Sequence, residues 1–80
     1  MYVEVKSCLD YSIGKKSFNT ESILNIKKDK NHALKIEFNS FNDVRYEPPQ
    51  NESVLFFENE AKRDEVYNEI IKAMGGLKNL

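Results

Sequence analysis

The sequence is poor in the residues that build most small catalytic and metal-binding sites. Its 80 residues include one cysteine, one histidine and no tryptophan. One cysteine cannot form an internal disulfide, and one cysteine with one histidine cannot supply the ligands of a structural zinc site. The sequence also has no Gly-rich phosphate loop and no nucleophile elbow. We therefore predict a protein that is not an enzyme and that holds no metal and no cofactor.

The sequence has no long hydrophobic run. Its longest apolar run covers residues 54–57, far short of the roughly 20 residues that span a bilayer. Residues 1–6 lack the basic and then apolar pattern of a secretion signal, so we expect a cytoplasmic protein. The composition predicts one small domain over residues 1–76, followed by a tail at 77–80. The Met1 start favours a whole protein over an excised domain.

Charge is nearly balanced overall but is polarised along the chain. The net charge is −1, yet residues 11–38 carry six basic and three acidic side chains, whereas residues 39–80 carry five and eight. So weak a field does not by itself indicate nucleic acid or a membrane surface as the partner. Ten of the twelve basic residues are lysine and nine residues are asparagine. This bias is typical of AT-rich coding sequences, such as those of many low-GC bacteria and their phages.

Alternation of apolar and polar residues predicts strands over much of the chain. Val3 and Val5 begin the first such segment, and a bend is predicted near Ser7. Two shorter segments follow at 44–46 and 54–57. Two prolines stop the first of these, and the second is apolar on both faces. We therefore expect the segment at 54–57 at the centre of the sheet, or where a barrel closes.

The clearest pattern in the first half of the chain is a β-hairpin. Leu24 and Ile26 alternate with polar residues, and so do Leu34 and Ile36. Pairing Ile26 with Leu34 places all four apolar side chains on one face and leaves a three-residue loop at 29–31. The last residue of that loop is an asparagine, which tolerates the left-handed conformation that such loops need.

A C-terminal amphipathic helix is predicted over residues 60–74. Asn59 is a good N-cap, Glu60 lies near the positive end of the helix dipole, and glycines at 75–76 end the helix. Apolar residues recur at helical spacing: Val66, Tyr67, Ile70, Ile71 and Met74. The predicted fold class is therefore α+β, a curved antiparallel sheet of about five strands covered by one C-terminal helix.

The order of these segments resembles the later part of a PH-like domain, the fold of pleckstrin-homology and GRAM modules. The resemblance covers residues 23–74, and the residues that carry it are 34–38, Val44, Tyr46, 54–67 and 70–71. It implies a partial barrel closed by the helix, with basic residues in an early loop for phosphoinositide head groups. That family has more strands and a tryptophan in its closing helix. Either residues 1–18 hide a short strand, or the chain has a different small α+β fold.

Lysines of the first half form a candidate anion-binding patch. They are Lys15, Lys16, Lys27, Lys28 and Lys30. Such lysines would contact the phosphate of a phospholipid head group or of nucleic acid, although arginine and exposed aromatic residues for base recognition are few. The alternative is a solvated hairpin whose lysines discourage edge-to-edge pairing. An anionic ligand is accordingly the second hypothesis about the partner.

A protein partner is the first hypothesis. If Phe57 faces the helix, Phe56 points to the other side of the sheet, where the sequence supplies no second cover. Phe56, together with Glu65 and Glu69 of the exposed helix face, forms the candidate partner surface. We therefore predict a small non-catalytic binding module that recognises a protein. The alternatives are an inhibitor of a host protein, encoded by a phage or mobile element, and a homodimer formed through an edge strand.

Overall fold

Two antiparallel sheets and one helix make up the described part of the chain. The structure, a computed structural model, describes residues 1–39 and 51–75. In chain order its elements are β1 (Tyr2–Glu4), β2 (Ser17–Asn19), a 3-10 turn (Thr20–Ser22), β3 (Ile23–Asp29), β4 (Ala33–Phe38), β5 (Glu52–Phe56) and α1 (Glu60–Ala73). The predicted α+β class, with antiparallel strands and a C-terminal helix, is confirmed. The described strands form a β1–β2 pair and a β3–β4–β5 sheet, and this sheet does not close into a barrel.

The β1–β2 pair contains a strand that the sequence pattern did not reveal. Val3 of β1 pairs with Phe18 of β2, and the chain bends at residues 7–8, near the predicted bend. β2 is three residues long and follows a turn-rich segment, so no period of two can be read from it. Phe18 is buried, with its ring centroid 5.2 Å from that of Phe38, which ties the pair to the core. The strand predicted at 44–46 lies outside the described residues.

The β3–β4 hairpin is present, but its register differs by two residues from the predicted one. Ile26 pairs with Ile36 rather than with Leu34. The loop begins one residue later than predicted, and both Asn31 and His32 have positive φ angles, of 60° and 57°. Moving the turn by one residue changes the strand pairing by two residues, so Ile26, Leu34 and Ile36 stay on the apolar face.

Leu24 is the residue of this hairpin that the alternation misplaced. The pairing is irregular between Ile23 and Asn25, and Leu24 is 73% exposed although the pattern predicted it in the core. A bulge leaves one extra residue out of the ladder, so the side chain of that residue departs from the apolar face. Leu24 consequently lies on the outer edge of the sheet, since β3 is paired with β4 on its other side.

β4, and not the segment at 54–57, is the central strand of the larger sheet. Ala33, Leu34, Ile36 and Phe38 of β4 are all buried. β5 lies at the edge of the three-stranded order, which corrects the expectation of a central position. β5 is hydrophobic on both faces for a reason other than a central position in the sheet. One face contributes to the core, and on the other face Phe56 meets the ring of Tyr11, which belongs to a loop bridged to the outer edge of β5.

Helix α1 packs on one side of this sheet, begins at the predicted residue and ends at Ala73, one residue before the predicted end. The Asn59 side chain accepts a hydrogen bond from the Lys62 amide at 2.9 Å, and Gly75 has a φ of 96° after the last turn. The core is a cluster of nine buried residues: Val5, Phe18, Leu34, Ile36, Phe38, Leu55, Phe57, Val66 and Ile70. Within the two described ranges, no helix combines the length and hydrophobicity that a membrane crossing requires.

Candidate functional site

The β3–β4–β5 sheet has two unlike faces. The strand register pairs Leu34 with Leu55, and Ile36 lies on the same side of the sheet. This side packs against α1, and we call it the core face. Successive strand residues point to opposite sides. The other side, the open face, therefore carries Asn25, Lys27, Asp29, Ala33, Lys35, Glu37, Glu52, Val54 and Phe56. No element within the described residues packs on the open face as α1 packs on the core face.

An apolar strip of four side chains lies along one margin of the open face. Its members are Tyr11, Ile13, Val54 and Phe56. Ile13 is bridged to Val54 through two backbone hydrogen bonds of 2.8 Å, so both side chains lie on the same side of the sheet. The Tyr11 and Phe56 ring centroids are 5.1 Å apart. Tyr11 and Ile13 remain 67% and 61% exposed, which makes the strip an exposed hydrophobic surface.

Backbone contacts hold the loop that carries half of the strip. The Phe56 amide donates to Ser12 Oγ at 2.9 Å, and the Leu9 amide donates to the Phe56 carbonyl at 2.8 Å. Ser53, which is fully buried, donates through its hydroxyl to the Lys15 carbonyl at 2.8 Å. These bonds lie on both sides of the Ile13–Val54 bridge, so the loop holds the strip in a fixed position against β5.

Gly14 allows this loop to lie against β5. Its φ is 90°, a conformation that side chains rarely adopt, and a Cβ atom there would lie 2.6 Å from the Glu52 carbonyl oxygen and 2.7 Å from Ser53 Oγ. Glycine is common in turns, so its presence in a loop is ordinary. The close approach to β5 is visible only in the tertiary structure.

The charged part of the open face carries both signs. Lys35 Nζ lies 3.4 Å from Glu52 Oε2, and Asn25 Nδ2 donates to Glu37 Oε1 at 3.2 Å. Lys27 is exposed beside them. The open face thus carries two lysines, two glutamates and Asp29, and it offers hydrophobic contact together with charges of both signs.

The predicted anion-binding lysines are spread over the molecule. Lys28 Nζ lies 3.3 Å from Asp64 Oδ1 and 4.9 Å from the Tyr67 ring centroid, on the core face. Lys15 Nζ lies 5.6 Å from the centroid of the Phe38 ring. Lys28 pairs with Leu34, near the other end of β4. That end-to-end separation is four residues, or about 13 Å along a strand.

The remaining three lysines do not form a continuous patch between Lys15 and Lys28. Lys27 is exposed on the open face and Lys30 is exposed in the hairpin loop. Lys16 is half-buried, and its carbonyl accepts a hydrogen bond from the Val5 amide at 2.7 Å. The structure thus distributes the five lysines over both faces of the sheet and a loop.

The predicted partner surface is also divided. Phe56 is half-buried on the open face, where Tyr11 partly covers it. Glu65 and Glu69 are exposed on α1, which packs on the core face. The sheet separates Phe56 from the two glutamates, so a single flat footprint does not include both.

A buried arginine joins α1 to the hairpin, and sequence reasoning did not identify it. Arg63 is 8% exposed, and its Nη1 donates to the Asp29 carbonyl at 3.1 Å. Its Nε donates to Asp64 Oδ1 at 2.8 Å, while Nη2 lies 3.8 Å from Glu60 Oε2. A signal was present, because Arg63 falls three residues before Val66 and so continues the apolar stripe of the helix.

Asp64 is expected to make stability depend on pH. The Arg63 hydrogen bond, followed by contacts with Lys28, lowers the pKa of Asp64 below its ordinary value. A carboxylate with a depressed pKa in the folded state stabilises the fold above the unfolded-state pKa of about 4, and that contribution is lost as pH falls through the folded-state pKa. Between neutral and strongly acidic pH, wild-type protein should therefore lose more unfolding free energy than Asp64→Asn.

Urea unfolding followed by circular dichroism over this pH range measures the difference. Glu65→Gln is the matched control, since it removes a neighbouring carboxylate that is exposed on α1. Its pH dependence should follow that of the wild type. Equal pH dependence of Asp64→Asn and wild type would show that the pairing with Arg63 and Lys28 does not stabilise the fold.

A groove near the start of the described residues does not form a recognisable catalytic or metal-binding site. A groove of about 290 Å³ lies between the start of the chain and the end of α1, lined by Met1, Thr20, Glu21, Ala73, Met74 and Gly75. The terminal ammonium beside it donates to Asn19 and Thr20 side chains, each at 3.3 Å. In residues 1–39 and 51–75 no three His, Cys, Asp or Glu side chains are grouped as metal ligands.

Comparison of the chain with protein-family models, curated proteins and solved structures found no match. The function is therefore inferred from the geometry of the sheet faces, the helix and the loops that cover them.

Proposed function

We propose that this chain is a small, non-catalytic binding module that recognises a protein through the open face of its β3–β4–β5 sheet. The observation that carries the proposal is the apolar strip. Tyr11 and Ile13 are mostly exposed, yet backbone bonds fix their loop against β5. Exposed hydrophobic surfaces rimmed by polar residues are typical of protein interaction sites.

The chemistry of the face favours a protein over an anionic ligand. Hydrophobic side chains beside a tyrosine resemble the centre of a protein interface, where aromatic residues contribute much of the binding energy. An anion site would instead need cations that converge on one point, and the five candidate lysines are spread apart. The thiol of Cys8 is not in a disulfide, which suits the reducing cytoplasm that we propose as the location.

Substitution of Ile13 tests the proposal. The chain is immobilised, exposed to lysate of the source organism at low and high salt, and the retained proteins are identified by mass spectrometry. Ile13→Lys should reduce retention of the partner by about tenfold, because a lysine placed in a desolvated hydrophobic contact costs at least the 1.4 kcal/mol that this factor represents. Binding through the apolar strip should also persist at high salt.

Leu24→Lys is the matched control. It changes another exposed aliphatic residue to lysine, on the outer edge of β3 and away from the strip. It should retain the partner as the wild type does. A partner that is lost equally with both variants, or retained with both, would contradict binding through the open face. Retention of nucleic acid or lipid that disappears as salt rises would instead support the lysine hypothesis.

A further inference from the structure

The outer edge of β3 is a second interaction surface, separate from the open face. We infer that it accepts an extended, acidic segment of another protein as an added strand. The inference goes beyond the proposed function, because it concerns the backbone of a strand edge rather than the side chains of a sheet face. Addition of a strand to an exposed sheet edge is a recurring mode of peptide recognition.

The direction of the backbone groups in β3 is the first observation. At the end of β4 the Phe38 amide donates to the Asn51 carbonyl at 2.7 Å. Such bonds alternate along an antiparallel strand, so even-numbered residues of β4 bond to β5 and odd-numbered residues bond to β3. The β3–β4 register then turns the N–H and C=O groups of Ile26 and Lys28 outward, away from β4.

The two edges of the larger sheet differ in their cover. On β5 the outward groups of Val54 bond to Ile13 in both directions at 2.8 Å, and those of Phe56 also bond to the loop. In the part of the chain that the structure describes, β3 pairs with no strand besides β4. Four of the five residues at 25–29 are exposed, whereas all residues of β4 and β5 are buried or half-buried. The outward groups of β3 can therefore pair with a new strand.

The charge around this edge favours an acidic occupant. Residues 25–30 carry three lysines and one aspartate. Lys28 is paired with Asp64, but Lys27 lies directly opposite Lys35 in the strand register. Like charges opposite each other destabilise a sheet, and opposite charges stabilise it. An acidic side chain beside Lys27, on an added strand, would offset this repulsion.

A second copy of the chain fits this edge poorly. It would bring its own three lysines to the same place, and lysines on an edge strand discourage such pairing. The acidic residue of this stretch, Asp29, accepts a hydrogen bond through its side chain from the Lys30 amide at 2.8 Å. That bond holds its carboxylate at the hairpin loop. The occupant is consequently a segment of a different protein.

Amide hydrogen exchange of the free chain tests whether the edge is open. The Ile26 and Lys28 amides should exchange at least about tenfold faster than the Asn25 and Lys27 amides, which bond to β4. Protection of Ile26 and Lys28 in the free chain would show that the edge is already paired and would overturn the inference. Protection that appears only as the concentration of the chain rises would identify a second copy as the occupant and overturn it as well.

A synthetic peptide of alternating valine and glutamate is the probe for binding. Titration followed by amide chemical shifts should affect Ile26 and Lys28 most, and a peptide of alternating valine and lysine should bind about tenfold more weakly. Lys27→Glu should reverse that preference. Lys6→Glu is the matched control and should keep it, because Lys6 is exposed and lies outside this sheet. Equal binding of the two peptides, or binding of neither, contradicts the inference.

A proline substitution tests the backbone contact itself. Proline has no amide hydrogen but is tolerated at edge positions where that hydrogen points outward. Lys28→Pro should therefore abolish binding of the valine–glutamate peptide. Lys28→Ala keeps the amide and should bind the peptide nearly as wild type does. Equal binding by the two variants would rule out strand addition, and the charge reversal at Lys27 decides the matter if Lys28→Pro does not fold.

The inference and the proposed function can fail separately. Retention of a protein from lysate that depends on Ile13 reports on the open face. Peptide binding that depends on the Lys28 amide reports on the β3 edge. An edge that binds no peptide leaves recognition through the open face intact, and the loss of Ile13-dependent retention leaves strand addition intact.

Discussion

Replacing Phe57 with alanine is expected to cost about 3–5 kcal/mol of unfolding free energy, whereas the same change at the adjacent Phe56 should cost less than about 1.5 kcal/mol. Phe57 is 2% exposed and belongs to the core that α1 covers. Phe56 points to the open face and is only half-buried. The two substitutions therefore compare the stabilisation provided by the two sides of the sheet at the end of β5.

Urea denaturation at neutral pH measures both changes. A domain of 80 residues is typically stable by roughly 4–12 kcal/mol, so Phe57→Ala removes a large share of the stability. Phe57→Leu is the milder variant, with an expected cost of about 1–1.5 kcal/mol because most of the side-chain volume is kept. Equal costs for Phe56→Ala and Phe57→Ala would contradict the assignment of the two faces.

Replacing Gly14 with alanine is expected to cost about 2–4 kcal/mol. The positive φ of Gly14 imposes backbone strain on any residue with a Cβ atom, a cost of roughly 1–3 kcal/mol. The new methyl group would also meet the Glu52 carbonyl and Ser53 at less than 3 Å, so the loop must move away from β5. Since Ile13 precedes Gly14, this movement should also disturb the apolar strip.

Gly75→Ala controls for backbone conformation in the Gly14 experiment. Gly75 has a similar φ of 96° but lies at the end of α1, where replacing the usual glycine should cost about 1 kcal/mol. Thermal unfolding of the two variants separates conformational strain from steric contact. In addition, Gly14→Ala should weaken any association that depends on Ile13, and Gly75→Ala should not. Equal destabilisation by the two variants would show that the approach of the loop to β5 is unimportant.

Local sequence patterns predicted the helix and the existence of the hairpin because both depend on neighbours in the chain. Asn59 caps α1 through a bond to an amide three residues later, and Gly75 follows the last helical turn. The alternation around Ile26 and Ile36 required a strand pair with one apolar face. The register of the hairpin was less predictable, because it depends on the backbone conformation of a few loop residues. His32 is left-handed as well as Asn31, and the observed register therefore differs from the predicted one.

The candidate site could be predicted only in part. Phe56 was assigned to a second face from the adjacent Phe57, and the structure places it on the open face. Tyr11 and Ile13 could not be added to it from the sequence, since they are more than forty residues away in the chain and meet β5 through a loop. Arg63 was overlooked because a charged side chain is buried only when partners such as Asp64 and a hairpin carbonyl are brought to it.

The sequence by itself determined the balance of charge, the fold class, the start of α1 and the division of Phe56 and Phe57 between two faces. These properties follow from composition and from periods of two and 3.6 residues, which operate over a few neighbouring positions. Only the tertiary structure decided that β4 is central, that Leu24 is exposed and that Glu65 lies on the opposite side of the sheet from Phe56. Those outcomes depend on which segments, distant in the sequence, pack against one another. Such packing is decided only when the whole chain is folded.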